Sequence, residues 1–136
     1  PSNRKTTRPR SSAQAHLVLR AAAIAHGEST MASLALQVRR AYFTEALDIS
    51  ELGLLLELAR DAGCEPAALR QCLDDGSAIA AYSTDLRRAG ELGVRGSPTW
   101  ILNGGRQVLY GNVGYRILNA NIEELLRHPQ DEASWC

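Results

Sequence analysis

The sequence has few cysteines, no net charge and no long apolar run. Its three cysteines, Cys64, Cys72 and Cys136, form neither a Cys-x-x-Cys pair nor a zinc-ligand pattern. Fifteen basic and 15 acidic side chains cancel, which leaves no field to attract nucleic acid or an anionic membrane. We therefore expect no metal site, no nucleic-acid partner and no membrane partner.

Targeting signals are also missing from the sequence. No stretch reaches the roughly 18 apolar residues of a membrane-spanning helix. The basic N-terminal residues are not followed by the apolar core of a secretory leader. We therefore expect a cytoplasmic protein. Its 136 residues, of which 45% are hydrophobic, suffice for a packed core.

The cysteines and histidines have no spacing typical of a nucleophile and its base. Cys72 lies at helical spacing from Leu69, which predicts a small buried residue, and Cys64 follows a helix-ending glycine. Cys136 ends the chain, where a catalytic thiol is poorly positioned. We expect packed or helix-end roles for the histidines His16, His26 and His128. We therefore assign no catalytic residue.

Helical periodicity dominates the first two thirds of the chain. Residues 1–10 are cationic and contain two prolines, which predicts a flexible lead-in, and residues 11–92 predict a domain of about five helices. The apolar face of the first helix is expected to consist of Leu17, Ala21, Ile24 and Ala25. This pattern predicts a mostly α-helical protein.

The third helix is preceded by the sequence Asp48-Ile49-Ser50-Glu51. An acceptor side chain followed three residues later by a glutamate has the form of a capping box. We therefore expect Asp48 to cap that helix. Its many leucines predict burial between other elements or at a subunit contact.

The hydrophobic period changes from 3.6 to about 2 after residue 93. Residues 99–102 and 106–110 are β-prone, and Asn103-Gly104-Gly105 between them is typical of a hairpin turn. A last helix is predicted from Tyr115. Residues 93–128 thus form a hairpin and a helix, and residues 129–136 are a polar tail.

A glycine-rich approach leads into the first predicted strand through Gly96-Ser97-Pro98-Thr99. Gly96 permits a close approach of the backbone, and a β-prone run follows Pro98 directly. We expect the Ser97–Pro98 bond to be cis. The alternative is a trans proline that starts an edge strand.

The order and spacing of several motifs resemble the C-terminal part of the DsbA family of thioredoxin-like proteins. More distantly, the chain is similar to 2-hydroxychromene-2-carboxylate isomerases and kappa-class glutathione transferases. The stretches that carry the resemblance are SAQAHL (12–17), RAYFTE (40–45), DIS (48–50), LARDAG (58–63), DLRRA (85–89) and GVRGSPT (93–99).

The resemblance implies a partial thioredoxin-like α/β fold in which the helices form an inserted domain. It also implies that Gly96, Ser97, Pro98 and Thr99 bind the substrate, because the residue before the cis-proline offers its backbone to an extended peptide or to glutathione. Members of the family begin with a strand and a helix that carries Cys-x-x-Cys, or a serine in the isomerase and transferase branches. Nothing before Ser12 matches that segment.

The function expected from the resemblance is that of a thiol–disulfide oxidoreductase acting on a protein or small-thiol substrate without a cofactor. Lacking Cys-x-x-Cys, the chain is expected to be a fragment or a natural short form, and to be inactive alone. One alternative is a non-catalytic helical dimerisation or binding module. Another is the glutathione-dependent isomerase or transferase branch, with glutathione as cofactor.

A two-stranded hairpin alone is a marginal sheet with exposed edges. We therefore expect the strand Thr99–Leu102 to pair either with a second copy of the chain or with the N-terminal segment that the resemblance implies.

Overall fold

The computed structural model describes residues 11–130. Within that range six helices accompany a two-stranded antiparallel sheet and a short 3₁₀ turn, which confirms the predicted fold class. The elements are α1 (Ala13–His26), α2 (Glu28–Phe43), α3 (Leu52–Asp61), α4 (Pro66–Asp74), α5 (Ser77–Glu91), β1 (Thr99–Leu102), β2 (Gln107–Tyr110) and α6 (Tyr115–Arg127). The chain divides into two compact units, Pro1–Asp85 and Leu86–Cys136, and the division falls inside α5.

The first unit contains the hydrophobic core, to which α1 contributes mainly small residues. Ala15, Val18, Ala21 and Ala22 are at most 5% exposed. Alanines at these positions permit α2 and α4 to approach α1 closely. The remaining buried residues of the core cluster are Leu34, Val38, Ile49, Leu55, Ala59, Cys64, Leu69, Cys72 and Ala78.

The predicted apolar face of α1 is only partly right. Ala21 is buried as expected, whereas Ile24 is 47% exposed and Leu17 is half-buried. The buried face is rotated toward Ala15, Val18 and Ala22, because close packing between helices favours the small alanines over the larger side chains.

The predicted capping box before α3 is wrong. Asp48 Oδ1 accepts hydrogen bonds from the Ser50 backbone N–H at 3.0 Å and from the Ser50 hydroxyl at 2.6 Å. These bonds close a turn ahead of the helix, and α3 begins at Leu52 with no side-chain cap on Glu51. Asp48 therefore stabilises the approach to the helix rather than its first turn.

The second unit consists of the end of α5, the hairpin and α6. Strands β1 and β2 are joined by the turn at Asn103–Gly105, where Asn103 has φ 49° and Gly104 has φ 66°. These left-handed values suit the asparagine and glycine that the sequence places there. Arg106 donates from a guanidinium nitrogen to the His128 carbonyl at 2.6 Å, which ties the hairpin to the end of α6.

None of the helices within residues 11–130 has the length and apolar character needed to cross a membrane. In the same range no three His, Cys, Asp or Glu side chains are grouped so that they would hold a metal ion.

Candidate functional site

The loop at Ser97 and Pro98 is an exposed entry to β1. Both residues are exposed, and the peptide bond between them is cis. The Thr99 hydroxyl donates to the Gly96 carbonyl at 2.6 Å and so closes a small turn around the two residues. The four residues singled out from the sequence therefore form one continuous surface feature.

The ring of Tyr110 lies close against Gly96. A Cβ atom at Gly96 would lie 3.1 Å from both Cε2 and Cζ of that ring, and closer still to its hydroxyl. Any side chain at position 96 would have to displace the tyrosine. Tyr110 is thus part of the site, which the sequence did not indicate because the contact depends on the register of the hairpin.

The register of the hairpin defines which backbone groups β1 offers to a partner. The Gly111 N–H donates to the Pro98 carbonyl at 3.0 Å. In an antiparallel ladder hydrogen-bonded pairs alternate with pairs that are not bonded to each other. Thr99 and Ile101 therefore direct their N–H and C=O groups away from β2. The Cα partners are Thr99–Tyr110, Trp100–Leu109, Ile101–Val108 and Leu102–Gln107.

The edge of β1 opposite β2 is open within residues 11–130, where the sheet has two strands. Ser97, just before this edge, makes no hydrogen bond to any residue of that range. Its N–H, C=O and hydroxyl are thus available to a ligand. The loop and the strand together present two adjacent backbone surfaces, one at Ser97 and one along Thr99 and Ile101.

Neither described cysteine belongs to this loop. Cys64 and Cys72 are free thiols, 4% and 8% exposed, in the core of the first unit, as the sequence predicted. Burial raises the pKa of the Cys64 thiol from its ordinary value of 9.0, which disfavours the reactive thiolate. Cys136 lies outside the described residues.

Two of the histidines take packing and helix-end roles in the first unit. The His16 ring stacks on Tyr82 with centroids 5.6 Å apart. His26 ends α1, and its Nε2 accepts the backbone N–H of Glu65 at 2.9 Å, which joins α1 to the start of α4. In the second unit, His128 is the C-terminal cap residue of α6.

A proline-led strand, a hairpin and a following helix are the C-terminal part of a thioredoxin-like fold. A family model described as a DSBA-like thioredoxin domain matches residues 3–123 of the chain. The chain therefore belongs to this family of thioredoxin-like proteins, and the resemblance noted from the sequence is confirmed. No curated protein matches the chain.

Proposed function

We propose that this chain supplies the substrate-docking part of a thiol–disulfide oxidoreductase. The observation that carries the proposal is the exposed Ser97, whose backbone and hydroxyl groups have no partner among the described residues. A backbone N–H and C=O beside each other bind an extended peptide by pairing with its main chain. Because the chain belongs to the DSBA-like family, we propose that the ligand is a cysteine-containing peptide or a small thiol.

Thiol–disulfide exchange requires a cysteine nucleophile. In this family a Cys-x-x-Cys pair supplies it, and these 136 residues contain no such pair. Disulfide exchange begins with attack by a thiolate. The Gly96–Thr99 loop holds the substrate chain, and the attacking thiolate comes from another segment or another chain. We expect the chain alone to reduce insulin disulfides no faster than the background, and substantial turnover would contradict this.

The open edge of β1 supports a second part of the proposal. Thr99 and Ile101 offer a strand-binding ladder, whereas Ser97 lies just beyond its end. A strand paired along Thr99–Leu102 therefore leaves Ser97 free for the substrate. The occupant of the edge is a second copy of the chain or a strand attached to a Cys-x-x-Cys helix.

Docking is tested by titrating the ¹⁵N-labelled chain with a ten-residue peptide that carries a central, S-methylated cysteine. Amide shifts are expected to concentrate at Gly96, Ser97 and Thr99. Ser97→Pro removes both the N–H and the hydroxyl of this residue. It should weaken binding at least about tenfold, because the loss of one uncharged hydrogen bond costs up to about 1.4 kcal/mol.

Val108→Pro is the matched control, because it removes an N–H that points away from β1 on the opposite edge of the hairpin. It should bind the peptide as the parent chain does. Equal loss in both variants, or shifts remote from Ser97, would refute docking at this loop. A parallel titration with glutathione distinguishes the transferase branch: saturation by glutathione but not by the peptide would favour it.

A further inference from the structure

A groove lies between α3 and α4 in the first unit, with a volume of about 210 Å³. Its lining residues on α3 follow the spacing of one helix face, and two residues of α4 face them. They are Gly53, Leu56, Glu57, Arg60, Pro66 and Arg70. The groove lies on the helical unit and plays no part in the docking loop described above.

Two arginines in the lining have no counter-ion among the described residues. Within residues 11–130 neither Arg60 nor Arg70 takes part in an ion pair or a side-chain hydrogen bond. Both arginines are exposed and line the same groove, so an oxyanion that enters it can reach both guanidinium groups. The planar fork of arginine matches the two oxygens of a carboxylate or phosphate.

The net charge of the residues that line the groove limits the charge of the ligand. Glu57 is in the same lining and is not paired with either arginine. The two arginines and Glu57 leave a net charge of +1, which favours a single oxyanion head group. Leu56, which is half-buried, and Pro66 add an apolar surface for the body of the ligand.

Gly53 opens the wall of the groove. A Cβ atom at this position would meet nothing within 4 Å, so packing does not require a glycine there. Alanine is a better helix former than glycine inside a helix such as α3. The absent side chain leaves open space at this position of the lining.

We propose that the α3–α4 groove binds a small organic oxyanion. Arg60 and Arg70 bind its carboxylate or phosphate group, and its apolar body lies against Leu56 and Pro66. Glu57 weakens the binding by repulsion and sets the preference for one negative charge.

The test is a chemical-shift titration of the ¹⁵N-labelled full chain at constant ionic strength with acetate, butyrate and inorganic phosphate. Arg60→Gln and Arg70→Gln should each raise Kd at least fivefold, whereas Glu57→Gln should lower it. Gly53→Leu should abolish binding without changing any charge. Butyrate should bind more tightly than acetate, by up to about fourfold for each CH₂ that becomes buried.

Arg39→Gln is the matched control, since Arg39 is an exposed arginine of α2 that does not line the groove. It should leave Kd unchanged, and far-ultraviolet circular dichroism should show that all variants fold. Saturation by the two carboxylates and not by phosphate identifies a carboxylate ligand, whereas saturation by phosphate alone would contradict the preference for one negative charge. Failure of all three probes to saturate, or equal effects of the Arg39 and Arg60 variants, would overturn the proposal.

Discussion

At the scale of the residue, single hydrogen bonds join helices whose contact cannot be predicted from the sequence. The bond from the Glu65 N–H to His26 Nε2 connects positions 39 residues apart. It requires Nε2 to be the unprotonated nitrogen, since the atom acts as an acceptor. The side chain therefore has a structural role in holding the end of α1 against the start of α4.

Two substitutions at His26 should show whether its hydrogen bond or only its packing stabilises the protein. His26→Leu leaves the Glu65 N–H without its partner and should cost about 0.5–1 kcal/mol, because water replaces part of the bond. For a unit of this size that lowers Tm by roughly 3–6 °C. His26→Gln, whose amide oxygen reaches about as far as Nε2, should recover most of the loss in a thermal melt. Equal destabilisation by both substitutions would contradict the assignment.

A second residue-scale prediction concerns the start of α5. The hydroxyl and the backbone N–H of Ser77 lower the pKa of the Asp75 carboxyl from 3.8. The N–H donates to Asp75 Oδ1 at 2.8 Å, and the hydroxyl donates to the Cys72 carbonyl at 3.2 Å. Because the folded pKa is the lower one, the stabilisation is present above pH 3.8 and is lost as pH falls through the folded value.

Asp75→Asn should abolish this pH dependence, because the amide oxygen still accepts the Ser77 N–H but does not titrate. Urea unfolding at pH 6 and at pH 3 is the measurement. The difference in unfolding free energy between parent and variant should shrink at the lower pH. Asp74→Asn removes a charge from the neighbouring exposed residue and should leave the pH dependence of the parent in place; identical profiles for both variants would be evidence against the Asp75 bond.

At the scale of the element, strand β1 was predicted to the residue, whereas the buried face of α1 was predicted only in part. Thr99–Leu102 agrees residue by residue with the sequence expectation, because the turn residues leave a short hairpin little choice of bounds. The buried face of α1 was misplaced, since hydrophobicity alone does not show that Ala15 and Ala22 outrank Ile24 at a close helix contact. Periodicity in the sequence predicts that a helix forms, but the helices that pack against it decide which of its faces is buried.

The register of the hairpin predicts which substitutions prevent β1 from pairing with a second copy of the chain. Ile101 and Val108 are cross-strand partners, and each N–H points to the outer edge of its own strand. Ile101→Pro should therefore prevent pairing of β1 with a second copy, whereas Val108→Pro should not. Ile101→Val, which keeps the N–H, should behave as the parent chain.

Sedimentation velocity at rising concentration measures this association. The parent, Ile101→Val and Val108→Pro should form dimers, and Ile101→Pro should remain monomeric. Loss of the dimer in Val108→Pro as well would place the contact elsewhere. A parent chain that stays monomeric at every concentration would leave the attached strand as the partner of β1.

At the scale of the whole molecule, burial is distributed unequally along the chain. Among residues 11–130, every buried residue lies from Ala15 to Ala78, and none of those from 86 to 130 is buried. Large side chains of the second unit are exposed instead, such as Tyr110 at 67% and Leu126 at 75%. The second unit therefore has little hydrophobic stabilisation of its own.

Hydrogen exchange should show this difference directly. Central amides of α1 and α2 should exchange at least tenfold more slowly than those of β1, β2 and α6, equivalent to about 1.4 kcal/mol of opening free energy. Amide exchange followed by NMR at pH 6 is the measurement. Equal protection of α1 and α6 would mean that the second unit is stabilised by contacts other than buried apolar side chains.

The sequence by itself determined the order of helices, hairpin and last helix, the family, and the Gly96–Thr99 loop. It did so because turn chemistry, periodicity and motif order are local properties of the chain. Tertiary structure alone decided that the Tyr110 ring lies against Gly96, that Thr99 and Ile101 present an open edge, and that Arg60 and Arg70 line one groove. Each of these depends on how residues of different elements come together, which is set by strand register and by helix packing.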